Sequence, residues 1–476
     1  MDQVEAWNTA ASEPPPSPIE APPAARSWLA PAAVAAVVVG AGAAALAARP
    51  KASRHAVPSA PARAADNTLA WAAPALLAGH PLRRYYRGRN LERAQTIEDL
   101  RAMAHRRLPR FALEYLEGGG EDEASLARNL AVLREWRFQH RSFVDVSRRD
   151  LSTVLFERRS TLPFAIAPTG LNGVFWPHAD LQLAEAAAEA GIPFAQSTMS
   201  NDRMETVARA PGLRYWWQLY VFGPPRVWEA LVDRARNAGC EALILTTDAQ
   251  IFGNREWQKR TQSSPTELSW SARFNVLGHP EWLARGIMTH GMPRFENVVE
   301  FVPKDRRSLF ESAHWIRSQM DRNLSWDLLK RIRNRWPRRL IVKGVLCLDE
   351  IVRCAELGVD AVAISNHGGR QLDWTVAPLD LLPAAREAVG DRIALIADGG
   401  MRRGSDILKA LMLGADFVFV GRAPLYGVAA AGREGVKRAL DILREELDRD
   451  LGLLGAASLK DLDRRLLVRT PDRLSA

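Results

Sequence analysis

A chain of 476 residues, with 64 Lys and Arg against 55 Asp and Glu, is long enough to bury a large core and carries a formal charge of +9. Its basic residues are scattered among acids and no nucleic-acid-binding motif accompanies them, so nucleic acid is disfavoured as a partner; an anionic membrane surface and an anionic substrate fit the charge better. Cys240, Cys347 and Cys354 are odd in number and lack metal-ligand spacing, which excludes a disulfide framework and leaves no metal site to expect.

In chain order, Met1 to Arg26 is rich in Pro, Ala and acids and reads as disordered. Trp28 to Ala48 then runs for 21 residues without a charge, enough to span a bilayer as a helix, although it is mostly alanine. Asp2, Glu5, Glu13 and Glu20 precede it; Arg49, Lys51, Arg54 and Arg63 follow. That asymmetry predicts an inner (cytoplasmic) membrane anchor with the rest of the chain in the cytoplasm, the alternative being a cytoplasmic protein. A secretory signal fits poorly with so long an acidic, proline-rich lead. Gly40, Gly42 and Ala45 match the G-x-G-x-x-A dinucleotide fingerprint, but Arg49-Pro50 ends the pattern before a second strand and its acid, so no such site is expected there. Ala52 to Asn67 reads as an Ala/Pro/Ser linker. The chain thus divides into 1–67, carrying the transmembrane segment 28–48 and the linker, and 68–476, the folded domain. Leu69 to Leu82 is apolar and suits either a membrane contact or a cap on that domain.

Thr96 and Asp99 make a helix-capping pair at Thr96-Ile97-Glu98-Asp99-Leu100, and a second helix is predicted over Arg110 to Glu117, ending at Gly118-Gly119-Gly120. Eight short apolar runs follow: Leu162 to Ala167, Ile192 to Gln196, Arg214 to Leu219, Ala242 to Thr246, Leu340 to Val342, Ala361 to Ile364, Ile393 to Ala397 and Asp416 to Val420. Helical patterns such as Leu181 to Ala190, Val227 to Ala238, Asp349 to Leu357 and Gly404 to Leu413 separate them. Eight alternating βα units predict an α/β fold, a (β/α)8 TIM barrel, with its active site at the C-terminal ends of the strands. About 90 residues, Asp248 to Arg339, separate the fourth and fifth runs, far beyond an ordinary connection. Trp326 to Arg335 supplies the fourth helix. The rest, an insertion over about 250–325 rich in aromatics and Arg, reads as a lid or docking surface, the alternative being a poorly ordered loop.

Ser365-Asn366-His367-Gly368-Gly369-Arg370-Gln371-Leu372-Asp373 opens from the sixth run and sets a titratable imidazole three residues from a permanent cation, with two glycines between. Asp398-Gly399-Gly400-Met401-Arg402-Arg403-Gly404-Ser405-Asp406 and Gly421-Arg422 follow the seventh and eighth runs, the customary phosphate position of a barrel. With these motifs in this order, the stretch from about Ile97 to about Leu443 resembles the FMN-dependent α-hydroxy acid dehydrogenase/oxidase family, which includes L-lactate dehydrogenases, mandelate dehydrogenases and glycolate oxidases.

The resemblance implies FMN as cofactor. It gives the phosphate to Gly400, Arg402, Gly421 and Arg422, in the motif begun by Asp398 and Gly399, and the isoalloxazine to the backbone of Pro168, Thr169 and Gly170. Ser197, Gln218 and Thr246 bond the ring's edge, with Ser365 nearby. Lys343, in Val342-Lys343-Gly344, needs a partner if buried, and the resemblance implies that the flavin anion supplies it. Arg255, Arg370 and Tyr115 hold the substrate carboxylate, His367 is the general base, Asp248 orients it and Tyr220 bonds the substrate hydroxyl. The implied reaction oxidises an L-2-hydroxy acid to the 2-oxo acid with electrons passing to a quinone or other membrane acceptor; a soluble-type oxidase using O2 and producing hydrogen peroxide is the alternative. A homo-oligomer, a tetramer in the family, is implied too. Two departures stand at the root of the insertion: Gln250 replaces a frequent proline, and Gln258 a frequent acid. Met199 stands where small-acid oxidases often carry an aromatic, which tilts the expectation toward lactate-like or mandelate-like acids over glycolate.

Overall fold

A computed structural model describes residues 84–470. The anchor segment 28–48, the linker 52–67 and the apolar stretch 69–82 lie outside the described residues. Eight parallel strands, β1 (Phe164–Ile166), β2 (Pro193–Ser197), β3 (Arg214–Leu219), β4 (Ala242–Thr246), β5 (Arg339–Val345), β6 (Ala361–Ser365), β7 (Ala394–Asp398) and β8 (Phe417–Val420), pair in sequence order, and β8 returns to β1 to close the barrel. The helices that follow are α1 (Ala179–Ala190), α2 (Met204–Val207), α3 (Pro225–Asn237), α4 (Trp326–Arg335), α5 (Leu348–Glu356), α6 (Pro378–Val389), α7 (Gly404–Met412) and α8 (Arg422–Leu453). Every predicted run becomes a strand; the fifth extends beyond its apolar centre because Arg339 and Lys343 continue the ladder.

The strands are continuous apolar runs because both faces are covered, by helices outside and side chains within. Inside, the Trp216 ring lies 6.2 Å from Phe417 and 6.0 Å from Phe419, and Ala165, Ala195 and Ala363 give those large rings their space. The barrel axis is therefore plugged. A ligand is confined to the mouth.

Before the barrel, helix Ile97–Arg107 starts at the reciprocal Thr96–Asp99 capping box, and helices Arg110–Glu117 and Ala124–Glu135 follow. The long excursion is folded rather than loose. It forms the helices Glu256–Lys259, Trp270–Leu277, Pro280–Leu283 and Leu309–Ser318 and a small hairpin of Gln262–Ser264 with Glu267–Leu268. Buried Trp282 pins it by donating to the Val174 carbonyl at 2.7 Å, and Asn297 pins it by accepting from the Met204 amide at 2.8 Å. Its other side carries exposed Ile251, Trp257, Trp270, Phe274, Leu277, Met288 and Met292. Among the described residues no helix is long and apolar enough to cross a membrane.

Candidate active site

Strand register brings the polar residues of the mouth together. Ser197 lies opposite Gln218, Thr246 opposite Lys343 and Ser365 opposite Asp398, each at or near the C-terminal end of its strand. The Ser197 hydroxyl donates to Gln218 Oε1 at 2.8 Å. Lys343 is buried, with its Nζ 2.9 Å from Asp398 Oδ2 and 3.1 Å from Ser365 Oγ, and Ser365 itself donates to Asp398 at 2.6 Å. Burial alone lowers a lysine's pKa, but Asp398 and then Asp248 hold Lys343 above its ordinary value. The protein itself thus supplies the lysine with an acidic partner, Asp398, beside any that a bound anion would add.

The loop after β6 divides its residues between scaffold and chemistry. Asn366 and Asn129 exchange amide hydrogen bonds at 2.8 Å, and Asp373 accepts from the Ala124 and Ser125 amides, capping helix Ala124–Glu135. Between those moorings His367 has a left-handed backbone, φ +58°, held by its amide donating to Ser365 Oγ at 2.9 Å. The His367 Nδ1 lies 2.9 Å from Asp248 Oδ1, and its Nε2 lies 3.3 Å from the Tyr220 hydroxyl. A carboxylate only accepts, so Nδ1 carries the proton toward Asp248 and Nε2 presents its lone pair to the pocket. Burial lowers the His367 pKa, Asp248 opposes that, and Lys343 adds to the lowering. Burial pushes Asp248 up, yet the facing His367 and nearby Lys343 hold it below the ordinary aspartate range. The result is a neutral imidazole beside an ionised carboxylate, an orientation suited to accepting a proton at Nε2.

Around that pair lies a cavity of about 760 Å³. Arg255 and Arg370 line it, with Arg255 Nε donating to the Arg370 carbonyl at 3.3 Å and Arg370 Nη1 donating to the Gly118 carbonyl at 2.8 Å. No carboxylate is among the charges that act most strongly on Arg370. Burial, then repulsion from Arg255 and Arg422, pushes the Arg370 pKa well down, the condition that a bound carboxylate relieves. The Tyr115 hydroxyl donates to the Gly170 carbonyl at 3.1 Å, and the Arg370 guanidinium sits 5.0 Å from the Tyr115 ring centre.

The residues at the barrel mouth fit FMN. Gln218 Nε2 and Thr246 Oγ1 are buried at the ends of β3 and β4 without a hydrogen-bond partner, and a planar ring with carbonyl and N–H groups along one edge would satisfy both. A Cβ added to Gly421 would meet only the Ala167 Cβ at 3.8 Å, leaving open space at the start of α8, flanked by Arg402 and Arg422. Arg422 also braces the scaffold, donating to the carbonyls of Leu116, Glu117, Gly118 and Gly368.

Of the predicted site residues, Tyr115, Pro168, Thr169, Gly170, Ser197, Tyr220, Arg255, Lys343, His367, Arg370, Asp398, Gly399, Gly400, Arg402, Gly421 and Arg422 line the cavity. Gln218, Thr246, Asp248 and Ser365 stand behind it, with Gln218, Asp248 and Ser365 bonded to residues that line it. Two positions without an assigned role, Gln371 and Gly344, help to build the site. Gln371 donates to the carbonyls of Asp248 at 2.6 Å and Ile251 at 3.1 Å, fixing the turn that presents the carboxylate. Gly344 leaves space for that carboxylate. The outer wall comes from the excursion, where Phe252, Phe295, Leu309 and Phe310 join Met199 and Phe175. Aromatic density in the insertion and Met199 were the sequence signals for this wall.

A plugged barrel with a flavin cradle, an oriented imidazole and paired cations at its mouth belongs to the flavin-dependent oxidoreductases. More narrowly, the chain belongs to the FMN-dependent dehydrogenase family, whose sequence profile matches residues 104–469, and it is an FMN-dependent enzyme of the α-hydroxy acid dehydrogenase kind. It is 41% identical over 368 residues to an (S)-mandelate dehydrogenase of Pseudomonas putida, covering 77% of this chain and 92% of the relative. An L-lactate dehydrogenase of Caulobacter sp. (strain K31) is 36% identical over 372 residues, covering 78% of this chain and 98% of the relative. A crystal structure described as the monotopic membrane protein (S)-mandelate dehydrogenase superposes with a TM-score of 0.75 at 40% identity, covering 79% of this chain and 99% of that one. A mandelate oxidase with benzoyl-formic acid superposes with a TM-score of 0.65 at 31% identity, covering 78% and 97%.

Proposed function

We propose that the enzyme oxidises an L-2-hydroxy acid with a mandelate-like or lactate-like side chain to the 2-oxo acid, passing the electrons to a quinone at a membrane. The observation that carries this reading is the Asp248–His367–Tyr220 chain facing Arg255 and Arg370 across one cavity. In this reading Arg255 and Arg370 fork the carboxylate, Tyr115 adds a hydroxyl, and Tyr220 bonds the substrate hydroxyl. His367 Nε2 takes a proton from the substrate, and Asp248 stabilises the imidazolium that forms. Gln218, Thr246, Ser197, Ser365 and the backbone of Pro168, Thr169 and Gly170 hold the isoalloxazine. Asp398 keeps Lys343 charged beside it, while Gly399, Gly400, Arg402, Gly421 and Arg422 hold the phosphate. FMN, when bound, supplies the two-electron acceptor for the substrate's carbon.

The wall of Phe175, Met199, Phe252, Phe295 and Phe310 favours a bulky side chain over the bare carbon of glycolate, in line with the mandelate dehydrogenase relative. Membrane association draws support from the exposed apolar residues of the excursion, from Arg260 and Arg273 beside Trp257 and Trp270, and from the monotopic neighbour. The amino-terminal 67 residues add an anchor and linker in the same reading, with the catalytic domain on the cytoplasmic side as a homo-oligomer. The oxidase alternative is favoured by the mandelate oxidase neighbour. One experiment separates them: reduce the purified flavoprotein anaerobically with a panel of 2-hydroxy acids, then offer O2 or a quinone analogue. Fast reoxidation by the quinone and slow reaction with O2 is the expected result; rapid hydrogen peroxide formation would establish the oxidase instead.

A further inference from the structure

A second cavity, of about 770 Å³, lies between the β1–α1 connection and the excursion. Phe175, Leu309 and Phe310 line both cavities and form a partition between them. Trp176 and Ile287 give the second cavity apolar wall, and the Arg107 guanidinium lies 3.8 Å from the centre of the Trp176 ring. Arg107 Nε is buried there with no hydrogen-bond partner. At the rim, the rings of His178 and His290 meet edge to face with centres 5.2 Å apart. His178 Nδ1 lies 2.9 Å from Asp202 Oδ1, which fixes the orientation of the ring. Exposed Met292 borders the same opening beside exposed Arg203 and Arg294, and exposed Met288 lies four residues before Met292. The proposed dehydrogenase chemistry uses none of Arg107, Trp176, His178 or His290.

We infer that this cavity takes the head ring of a quinone acceptor. The inference rests on the quinone reading given under Proposed function and locates the acceptor within it. A flat apolar ring suits the indole and aliphatic walls, and its carbonyl oxygens suit imidazole and guanidinium N–H donors. Reduction needs two electrons and two protons. The two electrons given up by the 2-hydroxy acid would cross the Phe175, Leu309 and Phe310 partition, and the two protons released by that oxidation would leave to solvent. Two protons from water at the rim pass to the quinone oxygens through the ring nitrogens of His178 and His290: two N–H bonds break as two O–H bonds form, and quinone becomes quinol. Exposed Met292 at the opening gives such a ligand an apolar contact on its way from lipid.

The test uses the full FMN-loaded chain, reduced anaerobically by its 2-hydroxy acid and mixed with a short-tailed benzoquinone analogue. His290→Ala, at an exposed position, and Trp176→Leu should each raise the half-saturating quinone concentration about tenfold. Flavin reduction by substrate and reoxidation by ferricyanide should stay at the parent's rates. As a binding readout independent of turnover, an azido-benzoquinone should label peptides spanning 173–178 or 286–294 in the oxidised enzyme. Unchanged quinone saturation in both variants, or labelling confined to other peptides, would overturn the site while leaving the acceptor reading intact. If the parent enzyme reacts with O2 and with no quinone, the acceptor reading itself fails and this site with it.

Discussion

Gly344 and Asp248 are matched to each other: a Cβ built on Gly344, whose φ is +97°, would fall 2.5 Å from Asp248 Cγ. The missing side chain is what allows the carboxylate to sit against His367 at 2.9 Å. Gly344→Ala should therefore cost about 1–3 kcal/mol of stability from backbone strain and displace Asp248. Thermal unfolding will show the first effect. The second should appear as a fall in kcat with flavin content retained; full activity in the variant would mean that Asp248 does not need this position.

His367→Gln should stay yellow and lose roughly 10²–10⁴-fold in turnover, the usual contribution of a general base. The amide is close to the imidazole in size, and the residues proposed to hold the phosphate follow β7 and β8. Absorbance of bound flavin and steady-state rates measure the two properties separately. Turnover within a few-fold of the parent would remove His367 from the base role.

The acid limb of kcat/KM should lie below the ordinary histidine pKa of 6.5, because burial and then Lys343 lower His367 further than Asp248 raises it. A base works when neutral, so activity is present above that pH and is lost as pH falls through it. In Asp248→Asn the carboxylate that raises the pKa is gone, and the limb should move to still lower pH while kcat drops. An acid limb that stays in place in this variant would dissociate the limb from His367.

Arg370→Lys and Arg255→Lys should raise KM for the hydroxy acid more than they weaken flavin retention, since an ammonium cannot reproduce a two-pronged contact with a carboxylate. Arg370 should show the larger effect. It is held among Arg255, Arg422 and the Gly118 carbonyl, where a shorter, strongly hydrated cation fits poorly. Loss of FMN with unchanged substrate affinity in the remaining holoenzyme would contradict the assignment.

Removing residues 1–65 should leave flavin reduction by substrate intact and leave vesicle binding dependent on the excursion alone. Trp270→Ser with Phe274→Ser should weaken that residual binding, and salt should weaken it further by screening the cations. Co-sedimentation with anionic vesicles reads each step. Undiminished binding by the truncated double variant would place the membrane contact elsewhere.

The apolar runs alone determined the barrel, because a strand buried on both faces must be uniformly apolar and eight of them alternating with helices have few other ways to close. The loop from Ser365 to Asp373 was legible as a site for the same local reason: its glycines, imidazole and guanidinium lie within nine residues. Its division into chemical and scaffold members came only through the family resemblance, since the moorings of Asn366 on Asn129 and of Asp373 on helix Ala124–Glu135 lie more than 230 residues away in sequence. Lys343 shows the limit most clearly. The sequence marks a lysine that needs a counter-charge, but its partner Asp398 is chosen by adjacency of β5, β6 and β7 around the barrel, a relation set by closure and register. The excursion's composition announced an aromatic surface; only its packing against Val174 and Met204 decided which side faces the cavity and which side lies open.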